Sequence, residues 1–271
     1  MRTLSKGFKR IFTSRLHAMS FILFLLTFFL VGCSKLELDS GWRERQITVD
    51  GRNDDWLGTM MYFEKEKVSL GLLNDEGFMY ICLIAEDQLI RNQVMRQGFT
   101  LWFDSEGGKK KTFGIKFPIG MQPGEMQERR DEQDPERFRQ TLRGQMAELE
   151  ILGPGKDESI RMPLEKAKGI NVNVRVSSGM LVYEIKVPLE LSEEYPYAVG
   201  TKAGSSVGIG LETSKFKRQN VRRSMGGRMP GGGGRGGMGG MSGGRGMRGS
   251  GMRPQMPEPL KIWAIVQLAS K

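Results

Sequence analysis

Histidine and cysteine are scarce in this chain of 271 residues, which has one histidine and two cysteines. The histidine is His17, and the cysteines are Cys33 and Cys82. These counts exclude a zinc site with paired histidines and a scaffold held by two disulfides. They also limit nucleophilic catalysis, because a catalytic serine or cysteine is commonly activated by a neighbouring histidine.

The N-terminal segment has no acidic residue and carries basic residues among its first 15 positions. An apolar run follows at 21–31 and ends at Gly32-Cys33. This order is typical of a secretory signal, and the run is shorter than the roughly 20 residues that a membrane-spanning helix needs. Residues 30–33, Leu-Val-Gly-Cys, resemble the lipobox of bacterial lipoproteins. The alternative is an ordinary signal peptide with an incidental cysteine.

The lipobox resemblance implies cleavage before Cys33 and attachment of acyl chains such as palmitate to that residue. We therefore expect a signal peptide at 1–32 and a lipidated tether at 33–45, so that His17 is absent from the mature chain. Ser34 is not the aspartate that typically retains such proteins at the inner membrane, which implies an outer membrane lipoprotein. Cys82 then lacks an intramolecular disulfide partner, and we expect it to be a small buried hydrophobic residue.

The formal net charge of +10 is concentrated in two segments. The signal segment and residues 214–257 contain basic residues but no acidic ones, and the rest of the chain has 26 basic and 31 acidic residues. Because the expected folded part is acidic, the total charge does not indicate a nucleic-acid partner. Seven arginines of the basic segment are candidates for binding an anion: Arg222, Arg223, Arg228, Arg235, Arg245, Arg248 and Arg253.

Short alternating or apolar segments recur along the chain, separated by turn residues, and predict strands. These segments occupy 46–49, 68–73, 78–85, 99–103, 111–117, 170–176, 180–187, 207–211 and 261–268. Because helical segments do not alternate with them, we predict an all-β fold over 46–271, an immunoglobulin-like antiparallel β-sandwich.

Two segments interrupt the strand pattern. Apolar residues recur at helical spacing after Pro135, which predicts an inserted helix over 134–150. Residues 214–259 are rich in glycine, arginine and methionine, a composition that predicts a long disordered loop between the last two strands.

Several segments resemble the family 9 carbohydrate-binding modules and their DOMON-like relatives. Residues 47–51, Ile-Thr-Val-Asp-Gly, followed by Asp54-Asp55-Trp56, resemble the family's opening motif. Three later segments resemble further family strands in the same order: 74–80, 99–104 and 183–189. The resemblance implies a β-sandwich that binds polysaccharide, and such modules are often attached to glycoside hydrolases.

Alternation along two strands places aromatic and polar residues on the expected outer face. Trp102 shares that face with Thr100 and Asp104, and in the last strand Trp263 shares it with Gln267. Sugar-binding proteins stack pyranose rings on exposed aromatic rings and bind the hydroxyl groups with flanking polar groups. These five residues are therefore the candidate carbohydrate site. The alternative is that a helix or loop covers both tryptophans.

Asp50, Asn53, Asp54 and Asp55 cluster in one turn, and oxygen-rich turns can hold calcium. Side chains of this type also form hydrogen bonds to their own turn without a metal. We expect no other cofactor.

Three functions remain after these exclusions. The first is a lipid-anchored envelope protein that binds a glycan without catalysis. The second is a scaffold that presents the basic loop to anionic envelope polymers. The third is a part of a glycoside hydrolase system, but hydrolysis needs two facing carboxylates and the sequence pairs none, so no catalytic residue is assigned.

Overall fold

The structure, a computed structural model, describes residues 35–121, 144–153, 155, 158–214 and 258–271. Within these ranges the chain forms mainly strands, with one α-helix and two short 3-10 helices. Before the helix lie β1 Leu36–Asp39, β2 Gly41–Trp42, β3 Met60–Phe63, β4 Val68–Asn74 and β5 Phe78–Ala85. The helix and the elements after it are α1 Gln88–Gln97, β6 Phe99–Asp104, β7 Phe113–Lys116, β8 Glu148–Leu152, β9 Ser159–Pro163, β10 Asn171–Ser177, β11 Met180–Pro188, β12 Ser206–Thr213 and β13 Lys261–Gln267.

The strands form two sheets. The seven-stranded sheet has the order β1-β13-β12-β6-β7-β8-β9, and the six-stranded sheet has the order β10-β11-β5-β4-β2, with β3 also paired to β4. The pairs β1–β13 and β2–β4 are parallel, and the other pairs are antiparallel. The all-β sandwich prediction is confirmed.

The α-helix is too short and too polar to cross a membrane, and no other described helix is longer.

The main core lies between the two sheets, because every second residue of a strand points to the same face and these faces are turned toward each other. Leu101 and Phe103 of β6 enter it from one sheet, and Leu83 and Tyr183 enter it from the other. The ring of Phe99 packs edge-on against that of Tyr183, with centroids 4.8 Å apart. Burial of this continuous apolar layer is the main favourable term in the stability of the sandwich.

A second apolar cluster lies on the outer side of the six-stranded sheet. Trp56 is 1% exposed and packs there with Cys82, Tyr80 and Val182. The segment before β3 therefore covers part of this sheet, which is why β4 and β5 are apolar on both faces. The expected burial of Cys82 is confirmed, and burial raises the pKa of its thiol.

Part of the segment 33–45, which we expected to be a tether, forms strands. Its residues 36–42 form β1 and β2, which join the edges of both sheets. Between them the Ser40 hydroxyl donates to Asn74 Oδ1, and Ala269 N donates to Ser40 Oγ at 3.0 Å. A polar segment can serve as an edge strand because its backbone supplies the pairing. In contrast, the predicted strand at 46–49 does not form a strand.

The predicted helix over 134–150 is wrong at its C-terminal end. Residues 148–150 belong to β8, in which Leu149 and Ile151 point to the core while Glu148, Glu150 and Leu152 do not. This period of two suits a strand better than a helix. Residues 144 and 145 are helical, and the predicted helical residues 134–143 lie outside the described ranges.

The helix α1 was not expected. Asp87 caps its N-terminus by accepting hydrogen bonds from Leu89 N and Ile90 N, and Gly98 follows its last turn at φ 86°. The helix buries Gln93, whose side chain bonds to residues at both ends of the 214–259 segment. At the C-terminal end Gln93 Nε2 donates to Glu258 O and Gln93 Oε1 accepts from Leu260 N, and at the N-terminal end Gln93 Oε1 accepts from Thr213 Oγ1 at 3.2 Å. The ends of that segment thus lie together in the β12–β13 hairpin, as expected from the sequence.

Candidate functional site

The two tryptophans predicted for sugar binding lie in one row across the outer face of the seven-stranded sheet. Trp263 of β13 is opposite Gly210 of β12, Gly210 is opposite Trp102 of β6, and Trp102 is opposite Gly114 of β7. Both tryptophans are partly exposed. Because one strand separates them, their backbones are about 10 Å apart, twice the usual strand spacing.

A glycine lies beneath each indole ring. A Cβ atom on Gly210 would lie 2.3 Å from the ring of Trp263, and one on Gly114 would lie 2.7 Å from the ring of Trp102. Each ring therefore extends over the backbone of the neighbouring strand instead of standing upright from the sheet. We call the surface formed by Thr100, Trp102, Gly114, Gly210, Glu212 and Trp263 the tryptophan face.

The turn after β6 fixes the position of Trp263. Asp104 is fully buried, and its carboxylate accepts hydrogen bonds from Glu106 N at 3.2 Å and Lys110 N at 2.7 Å. These bonds shape the turn so that Gly108 O accepts a hydrogen bond from Trp263 Nε1 at 2.9 Å. The Asp104 carboxylate is therefore occupied inside the turn and supports the indole without facing solvent.

Charged side chains surround the tryptophan face. Lys111 Nζ lies 5.0 Å from the ring centroid of Trp102, within the range of a cation–π interaction. Lys111 also forms an ion pair with Oε2 of Glu212. The other carboxylate oxygen of Glu212, Oε1, lies 3.7 Å from Lys261 Nζ. The ring of Trp102 is thus bordered by a partly exposed ammonium group that is paired with Glu212.

The other predicted residues of the site are placed differently. Thr100 is 7% exposed and lies between Glu212 and Lys116 in the sheet. Gln267 is exposed, but it lies four positions beyond Trp263, where its side chain bonds to Gly204 O and Ser206 Oγ. The structure thus brings together Trp102, Trp263 and Thr100, whereas Gln267 belongs to the far end of the sheet.

Sequence reasoning missed Lys111, Glu212 and the two glycines. The alternation of 207–211, Val-Gly-Ile-Gly-Leu, places Gly210 on the outer face, so the sequence alone indicates a position without a side chain there. The strand register that places Trp263 over Gly210 was not visible, because it depends on pairing between distant segments.

The acidic turn at Asp50–Asp55 forms hydrogen bonds within the protein. Asp50 Oδ1 accepts from Arg52 N at 2.9 Å, and Asp55 Oδ2 accepts from Thr48 N at 2.9 Å. Asp54 opens the short helix that contains Trp56, and Asn53 N-caps it without a side-chain bond. In the described ranges no group of three His, Cys, Asp or Glu side chains is arranged to hold a metal ion. Calcium at this turn stays a prediction.

Glu184 anchors the same turn from β11. Its Oε2 accepts hydrogen bonds from the backbone N–H groups of residues 50, 51 and 52, at 3.0, 2.6 and 3.2 Å. Its Oε1 accepts from Trp56 Nε1 at 2.7 Å. Burial raises the pKa of this carboxyl, and the donated hydrogen bonds oppose that shift. Glu184 thus joins the first and the last of the segments that carry the family resemblance, and its role there is structural.

The two buried carboxylates Asp104 and Glu184 do not face each other, as glycoside hydrolysis would require. Asp104 lies on the outer side of the seven-stranded sheet, and Glu184 lies on the outer side of the six-stranded sheet. Cys33 and the seven candidate arginines of the basic segment lie outside the described residues.

Comparison with known proteins gives distant structural similarity only. No family model matches the sequence, and no curated protein matches it. A carbohydrate-binding module of family 9 from Caldicellulosiruptor kristjanssonii, solved with glucose, is similar over 68% of this chain and 80% of its own, at 7% identity and a TM-score of 0.36. The same kind of module in complex with cellotriose is similar over 66% of this chain and 76% of its own, at 7% identity and a TM-score of 0.35.

Proposed function

We propose that this protein binds carbohydrate without catalysis, through the tryptophan face of the seven-stranded sheet. The observation that supports this most directly is the row Trp263–Gly210–Trp102–Gly114, in which two partly exposed indoles lie over glycine backbone. A ring held in this way offers one flat side to a ligand, as stacking on a sugar requires.

The spacing of the rings indicates a chain ligand rather than a single sugar. Two rings displaced by about 10 Å across the strands match the length of about two sugar units in an extended polysaccharide. The surrounding Lys111, Glu212 and Lys261 provide donors and acceptors for hydroxyl groups. For a sugar to stack on Trp102, the partly exposed Lys111 side chain would have to move away from the ring and loosen its ion pair with Glu212.

The proposal includes a lipid anchor at Cys33 and a location at the outer membrane. Its support is the signal-like segment 1–32 and the lipobox-like residues 30–33. Several acyl chains on one cysteine would hold the protein at a bilayer surface, whereas one chain gives only marginal binding. Metabolic labelling with a fatty-acid analogue tests this, and we expect the label to be lost in Cys33→Ala. Equal labelling of that variant would overturn the anchor.

Binding of the full-length protein to immobilised soluble and insoluble polysaccharides tests the carbohydrate site. We expect at least a tenfold loss of affinity in Trp102→Ala and in Trp263→Ala, because each removes a stacking ring. The matched control is Tyr62→Ala, which removes an aromatic residue that is 66% exposed on β3, in the other sheet. Absence of binding to every polysaccharide, or equal binding by all three variants, would contradict the proposal.

A further inference from the structure

A cavity lies on the opposite side of the sandwich from the tryptophan face. It has a volume of about 720 Å³ and lies on the outer side of the six-stranded sheet, where Asn171, Lys186 and Tyr80 occupy one row. Arg43 and the irregular segment 46–49 also line it. This volume falls within the range of small-molecule sites.

Lys186 is a half-buried cation at this cavity that has no anionic partner in the described part of the chain. Its Nζ lies 3.7 Å from the ring centroid of Phe78. Burial lowers the pKa of Lys186, while the charge of Asp75 opposes that shift. A charge removed from water without a hydrogen-bonded partner is costly, so such an arrangement commonly serves a ligand.

The charge of Asp75 acts on Lys186, but the oxygens of Asp75 are already occupied by other donors. Oδ1 accepts from Gly77 N at 3.0 Å and Phe78 N at 2.8 Å. Oδ2 accepts from Arg43 Nε at 2.7 Å and from the Tyr80 hydroxyl at 3.1 Å. Each oxygen of Asp75 thus has two donors, and no hydrogen bond from Lys186 Nζ forms within the described residues.

Arg43 has unused donors as well. Its Nε is bound to Asp75, and its Nη1 donates to Arg45 O at 3.2 Å. Within the described residues its Nη2 has no partner, so a guanidinium held in place by Asp75 keeps N–H groups for a ligand. Two fixed cations of this kind recognise a carboxylate or phosphate group well.

The remaining lining suits hydroxyl groups. The backbone of 46–49 is not paired in a sheet, and the N–H and C=O groups of Gln46 and Val49 have no partners among the described residues. Asn171 adds a side-chain amide at the same wall as Lys186. Glu165 also lines the cavity, but it is exposed, so water screens its charge more than the charges of the half-buried cations.

We infer that this cavity binds a small hydroxylated oxyanion, a sugar acid or a sugar phosphate, with its anionic group between Lys186 and Arg43. The backbone of 46–49 and Asn171 bind its hydroxyl groups. The site is separate from the tryptophan face and lies on the other sheet, so neither site depends on the other.

Calorimetric titration of the full-length protein with three probes tests the inference: glucuronate, glucose 6-phosphate and glucose. We expect at least one acidic probe to bind tenfold or more tightly than glucose, and this preference to weaken at high salt because it is ionic. The acidic probe that binds identifies which oxyanion the site takes.

Lys186→Met removes the charge but keeps an apolar stem against Phe78, and we expect it to abolish the preference for the acidic probe. Lys186→Arg should restore part of the preference. Lys202→Met, at an exposed lysine elsewhere, controls for the change in net charge. Circular dichroism and thermal unfolding verify that each variant is folded.

Two results would overturn the inference: acidic probes that bind no better than glucose, or binding that Lys186→Met leaves unchanged. Trp102→Ala separates the two sites, because it should leave the binding of the acidic probe intact. A loss of that binding in Trp102→Ala would place the anion at the tryptophan face and would also refute the second site.

Discussion

The hydroxyl of Tyr183 lies between the two sheets, where no group of the described chain forms a hydrogen bond with it. Burial raises the pKa of this hydroxyl, which stays neutral. A buried polar group without a partner lowers stability by about 1–3 kcal/mol. The ring itself packs well against Phe99.

We therefore expect Tyr183→Phe to raise the free energy of unfolding by about 1 kcal/mol, since it keeps the ring and removes the unpaired hydroxyl. Denaturant unfolding measures the change, and Tyr62→Phe on the surface is the control. A loss of stability in Tyr183→Phe would show that the hydroxyl has a hydrogen-bond partner in the native protein.

Asp75 joins Arg43 to the turn between β4 and β5. Although burial alone would raise the pKa of its carboxyl, the hydrogen bonds from Arg43, Phe78 N, Gly77 N and Tyr80 hold that pKa below its usual range. The charged form is thus favoured by folding. Its contribution to stability is complete above the ordinary aspartate pKa, about 3.9, and is lost as the pH falls through the lower value of the folded protein.

Asp75→Asn should lower the free energy of unfolding at pH 7 by roughly 1–3 kcal/mol, because Arg43 and the turn lose a charged acceptor. The two proteins, wild type and Asp75→Asn, should become more similar in their free energy of unfolding as the pH falls below about 4, the range in which an ordinary aspartate titrates. Denaturant unfolding across this range measures it. Asp39→Asn, at an exposed carboxylate on β1, is the control.

At the scale of elements, β12 supports the tryptophan face because it has no side chain at Gly210. An alanine there would place its Cβ within 2.3 Å of the Trp263 ring, closer than real contacts allow, so the ring would have to move. The fold itself tolerates alanine at a β-strand position that has a normal backbone conformation.

We expect Gly210→Ala to reduce polysaccharide binding by tenfold or more and to shift the tryptophan fluorescence, with unfolding stability changed by no more than about 1–3 kcal/mol. Gly144→Ala is the control, because a Cβ there would meet no atom of the described residues within 4 Å. Unchanged fluorescence and binding in Gly210→Ala would show that the ring is not held over this glycine.

Strand prediction succeeded where a segment was apolar throughout, as in β5, or alternated over a long stretch, as in β6 and β11. It failed at β8, whose five residues are too few to separate a period of two from a helical period. The helix α1 was not predicted either, because its single well-buried apolar residue, Val94, provides almost no helical pattern. The Asp87 cap and Gly98 were the only local signals of that helix.

At the scale of the whole molecule, the basic segment and the sandwich can be tested separately. The ends of the segment meet in the β12–β13 hairpin, where Thr213 N donates to Leu260 O at 3.0 Å and Gln93 contacts both strands' ends. Joining these ends by a short turn should therefore preserve the sheet.

Deletion of residues 224–256 should leave polysaccharide binding within about twofold of the full chain, because the tryptophan face contains none of these residues. Binding to immobilised polysaccharide measures the effect, with Trp263→Ala as the reference for a lost site. If the deletion removes binding as completely as Trp263→Ala does, the basic segment carries the function and the scaffold hypothesis replaces the proposed one.

The sequence by itself determined the class of the fold and the chemistry that is excluded, because alternation, turn residues and the scarcity of histidine are local properties. It also placed Trp102 and Trp263 on an outer face, since the period of a strand is two. Only the tertiary structure decided that these residues lie in one row, that Asp104 is enclosed in a turn, and that Lys186 and Arg43 share a cavity. The row and the shared cavity depend on contacts between segments more than 100 residues apart, which no local pattern encodes. The enclosure of Asp104 depends on the three-dimensional shape of the turn at 104–110.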